Sequence, residues 1–597
     1  MTSAGDRTVE LRRRIAVAPA DAEAHFLAAV ANPSQSEGYG RAAMLGPDLA
    51  PAWSNWGTVL RSRGLLSDAL RAYRRAFVLY PSATEILVNL ADAVQSGGRP
   101  TAAEVPIRRA LAANPLHPTA LRVDGLVLHG RDRLLAGTIR FRQALCLAPD
   151  VAQTHLDLGN ARQDQGEPVA AERCYLRALA IVPRYAEAYS NMLFSLCFRE
   201  DIGPEELFRR HRGFDRVFGH PAGVARHRPD PRAVDRPLVV GYVSPDFRRH
   251  PGGYFLLPPI EHHDPARCRV ICYSGTTLVD DFTDRFRKAA DLWRDITGAD
   301  DGAAEAMIRA DGVDILVECA GHMAGNRLSL FARRPAPVQV SFPLYPGTSG
   351  LSAIDYRIMD PHFAPEGAEA WHSERIIRLE THVCYEPGDR LIEPAPKPPC
   401  LARGHVTFGS FNNLAKLGPA TLRAWARILH AVPDARLRLK WSGLRPDEAD
   451  WIYRRFADCD IGRDRLWLSG FAPEPYRPYL DLDIALDPLA ANGGTTTCDA
   501  LWMGVPVVTC AGRNPFSRVG LGHLTTIGLP RLVAPDPDAY VALAVRLARS
   551  PLELAELRQG LRERFARSAL MDGPRYARGL EAEYHKIWGV WCRSALR

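Results

Sequence analysis

No run of about 18 apolar residues occurs in the 597-residue chain, so no segment is suited to span a membrane as a helix. Paired cysteines are missing too. The 12 cysteines are scattered without a Cys-x-x-Cys pair, which argues against a zinc ribbon or a disulfide framework and fits a reducing cytoplasm. Lysine is scarce and arginine abundant. The net charge of +7 is modest for this length, and no basic stripe alternates with aromatics, so no nucleic-acid footprint is expected. The opening MTSAGDRTVELRRR has no apolar centre and does not read as a secretory signal. These absences leave a cytoplasmic protein whose partners are neither membranes nor nucleic acids. A hydrophobic content of 46% is enough to build several large cores.

What is present is periodic. Pro47, Pro81, Pro115, Pro149 and Pro183 are spaced 34 residues apart. Apolar, small and aromatic columns keep step with them: Trp53, Gly57, Leu60, Ala69, Tyr73 and Ala76 in one block, and Leu158, Gly159, Ala171, Tyr175 and Ala178 in a later one. A 34-residue period means stacked helical pairs, each too small to bury its own apolar face. The pattern resembles the tetratricopeptide repeat. A degenerate repeat covers 16–49, where Tyr39, Ala42 and Pro47 keep register, and four clear repeats cover 50–185. A half repeat with Tyr189, Met192 and Leu196 caps a repeat domain of 16–199. One column of the first helices reads Asn55, Asn89, Asp157 and Asn191, with Val123 interrupting it. Asn amides pair with both N–H and C=O of an extended peptide, which makes the column a candidate acceptor-binding line. The competing reading is bonding within the helix stack.

Residues 200–235 form a connector: a charged helix, PEELFRRHRGFDRVF, and an Arg/Pro-rich linker. The texture then changes. Apolar runs that read as buried parallel strands, such as RPLVVGYVSPDF, CRVICYSG and GVDILVECAG, alternate with helical stretches such as TDRFRKAADLW. A Pro-rich break near 393–404 separates two such blocks, giving an α/β lobe over 236–392 and a second over 401–597.

Four strand-end segments carry candidate chemistry. In LDPLAANGGTTTCDALWMG, Gly493 and Gly494 turn the chain and Thr495, Thr496 and Thr497 open a helix. Free N–H groups and the helix dipole there suit a diphosphate, and Asp499 is placed to accept from a ribose hydroxyl. In TFGSFNNLAKLGPATLRAW, Lys416 precedes a helix starting near Pro419, with Asn412 and Asn413 before it. Its ammonium is suited to stabilise a departing phosphate. His250 follows a strand in GYVSPDFRRHPGGYF, and LYPGTSG at 344–350 offers backbone to a sugar. The Asp-Leu-Asp at 481–483 leads into a strand and is discounted as a metal motif.

With the repeats, these motifs resemble the protein O-glycosyltransferases of the O-GlcNAc transferase and SPINDLY kind, over about residues 50–575. The likeness rests on VGYVSPDFRRHP, RPAPVQVSFPLYPGTSG, FGSFNNLAKLGPATLRAWARIL, ANGGTTTCDALWMGVPVVT and SRVG. It implies a helical superhelix ahead of an α/β catalytic region of GT-B type, two Rossmann-like lobes around a nucleotide-sugar cleft. The implied reaction is inverting transfer of a sugar, GlcNAc from UDP-GlcNAc, to Ser or Thr hydroxyls of intracellular proteins, with no cofactor and no required metal. By motif, Lys416 matches the lysine that stabilises the diphosphate, and His250 the histidine near the acceptor. Thr495 and Thr496 match the phosphate-binding threonines, and Asp499 the ribose acid. Asn413 stands where animal members have Gln, and Tyr345, Pro346 and Gly347 match the loop beside the sugar. Two departures stand out. Gly494 replaces the His of the animal NGHTT motif, and Pro475 replaces a His found ahead of the retained Tyr479. The first leaves open GDP-fucose as donor or a catalytically weak repeat scaffold.

Overall fold

The computed structural model describes residues 4–32, 36–219, 227, 235–441, 443–445 and 449–594. The chain divides into two units, 1–161 and 162–597.

The first unit is all helical. Helices Ala50–Ser62 and Leu66–Leu79 pair, as do Thr84–Ser96 with Pro100–Ala113 and Pro118–His129 with Leu134–Leu147. Each second helix stops two residues before the periodic proline, at Leu79, Ala113 and Leu147, because the proline ring cannot continue the hydrogen-bonded spiral. The small columns are there for close approach. A methyl on Gly57 would lie 2.8 Å from the Tyr73 ring, and one on Gly125 2.6 Å from Phe141. The degenerate segment also folds, as Ala22–Ala31 and Glu37–Leu45, with Phe26 and Tyr39 edge to face at 5.8 Å.

In the second unit the helical pairs continue with Pro168–Ile181, Ala186–Leu196 and Pro204–Phe218. Tyr189 packs edge-on against Phe214 and Phe218. The Arg/Pro-rich part of the expected connector lies mostly outside the described residues. Two all-parallel sheets follow. The first is β1 (Leu238–Ser244), β2 (Cys268–Ser274), β3 (Leu292–Asp295), β4 (Ile315–Glu318), β5 (Val338–Ser341), β6 (Tyr356–Met359) and β7 (Arg375–Arg378), in spatial order 3-2-1-4-5-6-7. The second is β8 (Thr407–Ser410), β9 (Arg436–Lys440), β10 (Leu466–Ser469), β11 (Ile484–Leu486), β12 (Val507–Cys510) and β13 (Val533–Ala534), in order 10-9-8-11-12-13. Both are doubly wound, Rossmann-like sheets. Four strands give no clear sequence signal: β3, β6, β7 and β13. Three of them are sheet edges. An edge strand has only one paired neighbour and needs no continuous apolar run. The stretch TDRFRKAADLW therefore divides, with helix Asp281–Ala289 ending before β3. The C-terminal helix Gly573–Arg593 leaves the second sheet and packs on helix Gly253–His262 of the first.

Replacing Gly125 with Val should destabilise the repeat unit by about 1–3 kcal/mol, because the Phe141 ring has no room to retreat. Urea unfolding followed by circular dichroism measures it; an unchanged midpoint contradicts this account of the glycine column.

Candidate active site

In a doubly wound sheet the ligand crevice lies beyond the strand ends where the winding reverses. In the second sheet that point falls between β8 and β11, which pair directly. The chain leaving β8 carries Asn412 and Lys416, and the chain leaving β11 carries Asp487, Asn492 and the Gly-Gly-Thr turn. In the first sheet the reversal lies between β1 and β4, and the loop after β1 carries His250. Topology thus assembles segments far apart in sequence.

Lys416 closes a short 3-10 turn, Leu414–Lys416. Its Nζ donates to Asn412 Oδ1 at 3.0 Å and to the Asn492 carbonyl at 2.7 Å. The same Asn412 oxygen accepts from Thr496 Oγ1 at 3.0 Å. One amide oxygen thus holds the lysine beside the threonine turn. Burial pulls the ammonium down to about 8, with the Asp487 carboxylate acting the other way. Asp487 is itself pushed up to about 6 by burial, against its hydrogen bonds and Lys416. At neutral pH lysine remains the charged form.

Helix Thr495–Trp502 begins with no side-chain cap, so its first N–H groups face the crevice without a side-chain partner. The residues of this turn have different tasks. The Gly493 N–H and the Thr497 hydroxyl both donate to Asp487 Oδ1, at 3.1 and 3.0 Å. These two residues, read from sequence as donor contacts, shape the turn instead, and Thr497 is buried. A methyl on Gly493 would lie 2.5 Å from the Thr496 and Thr497 hydroxyls. Gly494 differs: a methyl there would meet only Phe255, at 3.8 Å, so the position has room for a side chain. Thr495 Oγ1 donates across to the Pro251 carbonyl at 3.3 Å, which brings the His250 loop against the helix start.

Asp499 accepts from Tyr385 and, at 2.9 Å, from Tyr476, and burial pushes its carboxyl up to about 6. Tyr476 also accepts from the Gly388 N–H at 2.9 Å. Gly388 lies on the rim of a cavity of about 760 Å³ lined by Tyr254, Glu386, Lys440, Phe471 and Pro475 among others. The cavity is large enough for a nucleoside.

His250 is one-third exposed, with Nδ1 at 3.1 Å from Asp246 Oδ1 and 3.2 Å from the Gly252 N–H. With the hydrogen on Nε2, Nδ1 accepts from the Gly252 N–H; in the other tautomer that bond is given up, Nδ1–H donates to Asp246, and Nε2 is left as the acceptor.

Three further expected positions have local roles of their own. Asn413 is exposed, and its side-chain oxygen accepts from Ala415 N at 2.9 Å; Asn412 is the residue that meets Lys416 and Thr496. Tyr345 is fully buried, with its phenol bonded to His211 Nε2 at 2.6 Å and its carbonyl accepting from Arg357 Nη2, so it shapes the loop from within. Pro346 remains half-exposed, and Gly347 packs on Phe516. Asp157 is buried and paired with Arg122 at 2.9 Å, so it cannot act as an amide-like hook. Asn55 is half-buried, and the Asn89 amide donates to Ser54 Oγ of the preceding repeat at 3.2 Å. Asn191 lies in the second unit, half-buried. The discounted Asp-Leu-Asp is structural: Asp483 accepts from Cys400 N and Thr407 N, and Asp481 pairs with Arg403 and Arg438. Tyr385, Tyr476, Asp487 and Asn492 were missed. Asn492 stands directly before the glycine pair, a signal within reach; the tyrosines come from distant loops and leave none.

Two doubly wound lobes with their strand-end loops facing each other, preceded in the chain by helical repeats, define the two-lobed GT-B class of glycosyltransferase. The chain belongs to glycosyl transferase family 41, whose family model matches residues 219–389 and 397–580. It is 40% identical over 424 residues to a Hordeum vulgare protein named probable UDP-N-acetylglucosamine–peptide N-acetylglucosaminyltransferase SPINDLY, an alignment covering 69% of this chain and 44% of that one. Against the Arabidopsis thaliana SPINDLY protein of the same name it is 40% identical over 429 residues, 69% of this chain and 46% of that one. The chain thus spans less than half the length of these curated relatives. Among solved structures it is similar to a Thermobaculum terrenum O-GlcNAc transferase mutant, with 34% identity, a TM-score of 0.80, and coverage of 86% of this chain and 98% of that one.

Asn412→Ala should weaken nucleoside diphosphate binding by about 1–2 kcal/mol, since it removes the oxygen shared by Lys416 and Thr496, while Asn413→Ala should change it little. Calorimetry with UDP and GDP separates them; equal effects contradict the assignment.

Proposed function

We propose that the chain is an inverting protein O-glycosyltransferase that moves GlcNAc from UDP-GlcNAc to Ser or Thr hydroxyls. The observation that carries this reading is the shared Asn412 oxygen, which sets the Lys416 ammonium beside Thr496 at an uncapped helix start. A diphosphate bound there meets a cation, free N–H groups and a positive dipole end at once. The names of the relatives support the donor and the peptide acceptor.

In the proposed reaction the acceptor oxygen attacks C1 of the sugar from the face opposite the diphosphate. The new C–O bond forms as the C1–O bond to phosphate breaks, and the electron pair leaves with the nucleoside diphosphate. Lys416 and the helix start stabilise that charge, so the reading requires no catalytic metal and no cofactor. His250, oriented through Nδ1 by Asp246, takes the hydroxyl proton at Nε2. Asp499 accepts from the ribose, with Tyr385 and Tyr476 holding it in place. The Asn55 and Asn89 helices offer the acceptor surface. A cytoplasmic setting is consistent with twelve free cysteines, and no described helix is long and apolar enough to cross a membrane.

Incubation with UDP-GlcNAc, UDP-Glc and GDP-Fuc separately, followed by intact-mass analysis of acceptor proteins, tests the reading. Transfer from GDP-Fuc alone would replace the donor, and transfer from none would leave the weak scaffold. Lys416→Ala should lower turnover by about 3 kcal/mol, on the order of a few hundred-fold, with the fold intact by circular dichroism. Near-normal turnover refutes the role.

The pH profile has a defined sign. Lys416 must be charged, and burial has lowered its pKa to about 8. In the free enzyme the charge is lost as pH rises through that value, so kcat/KM should fall above about pH 8. The limb in kcat should lie higher, because bound diphosphate favours the ammonium. A flat kcat/KM profile to pH 10 argues against an essential ammonium.

A further inference from the structure

We propose that His263, Cys268 and Glu581 form a zinc site that fastens the C-terminal helix to the first lobe. None of the three takes part in the chemistry above. His263 follows helix Gly253–His262, Cys268 opens β2, and Glu581 lies midway along helix Gly573–Arg593. Their ligand atoms all lie within 4.8 Å of one another, and all three residues are buried.

The local hydrogen bonding leaves a place for a cation. His263 Nε2 lies 2.8 Å from the Tyr242 hydroxyl, and Nδ1 lies 3.0 Å from Glu581 Oε1. With Nδ1–H donating to Glu581 Oε1 and the Tyr242 hydroxyl donating to Nε2 the ring is satisfied without a metal; in the other tautomer, with Nε2–H given to Tyr242, the Nδ1 lone pair faces a carboxylate oxygen. A metal ion there converts repulsion into ligation, with Tyr242 as the outer partner that fixes the ring. Glu581 Oε1 also accepts from the Asp264 N–H at 2.8 Å. Glu581 Oε2 is buried without a hydrogen-bond partner, its cationic neighbour being Arg267 Nε at 3.7 Å. An unsatisfied buried carboxylate oxygen is costly, and coordination would satisfy it.

The donor set selects the ion. An imidazole nitrogen, a thiolate and a carboxylate suit zinc; a hard cation such as magnesium or calcium takes oxygen ligands almost exclusively. Zinc binds the thiolate, so the thiol proton leaves for solvent as the ion binds. The exposed loop at Asp264–Ala266 covers the cluster and gives the ion and a coordinating water a way in.

The consequence is positional. Helix Gly253–His262 starts just after the His250 loop and ends at this cluster. The His262 ring already presses on Gly573, where a methyl would lie 2.3 Å from Cδ2. Zinc would fix the far end of the helix that follows the loop bearing the candidate base.

The full chain, stripped with a chelator and dialysed, should take up about one zinc or cobalt per chain by elemental analysis. The cobalt form should show a thiolate-to-metal charge-transfer band, and zinc should raise the melting temperature. Cys268→Ser should abolish the band and the zinc-dependent rise and reduce retained metal to near zero. Glu581→Gln should weaken retention while keeping the band at high cobalt. No uptake and no band in the wild-type chain overturns the proposal in favour of a hydrogen-bonded His–Glu pair. Unchanged metal content in Cys268→Ser places the ion elsewhere and overturns it equally.

Discussion

The candidate site depends on a cation held in place by neutral oxygens. Lys416 Nζ bonds to an amide oxygen and a backbone carbonyl, and among the described residues no carboxylate forms an ion pair with it. Its charge is therefore positioned without a direct ion pair, and only the Asp487 carboxylate nearby offsets part of it. A lysine tied directly to a carboxylate would be equally well ordered, yet its field would be largely offset before any diphosphate arrived. The partly desolvated setting strengthens what remains, because the effective dielectric is lower there than in water. The same Asn412 oxygen orders Thr496, so the cation and the helix start are aligned by one side chain.

Support for that arrangement comes from outside the sheet. Glu200, just after the last repeat helix, accepts from Ala420 N and Thr421 N at 2.8 and 3.2 Å. It caps the helix Pro419–Ala431 that follows Lys416, so the dipole end nearest the lysine is already occupied by a carboxylate. Gly166, at φ +72°, sits so close to the Leu414 carbonyl that a methyl would lie 3.0 Å away. Arg455 Nη2 donates to the Leu417 carbonyl at 2.8 Å. The turn bearing Lys416 is held by the final repeat as well as by its own lobe. Likewise the Tyr345 loop is held by His211 from the helix Pro204–Phe218 and by Arg357 and Glu374 beneath it. In this protein the end of the repeat region is part of the scaffold of the candidate site.

Within the first unit the inter-repeat contacts are partly ionic. Arg61 pairs with Asp92, Asp92 with Arg122, and Arg122 with Asp157, each link joining successive first helices. These charges run beside the asparagine column and explain why one member of it is an aspartate. At Asp157 the position serves register between repeats, as Asn89 also does through Ser54. A column that also serves stacking has fewer free amides than its sequence spacing implies.

Much of this was legible without coordinates. A 34-residue proline and glycine period specifies stacked helical pairs because the steric causes are local: proline ends a helix, and glycine admits an aromatic ring. Apolar runs between turn residues specify buried parallel strands for the same kind of reason. The lysine turn and the Gly-Gly-Thr helix start were visible as motifs, and so was the family. What needed tertiary structure was every assignment that depends on which way a side chain faces across a long sequence gap. Asn412 and Asn413 are neighbours in one motif, yet one is turned into the site and the other caps a turn. Thr496 and Thr497 divide in the same way between the crevice and Asp487. Tyr385 and Tyr476 reach Asp499 from loops 114 and 23 residues away, and no local pattern records such a convergence. Local sterics set the elements, but the winding of the two sheets and the burial that follows from it decide which polar atoms remain free to meet a ligand.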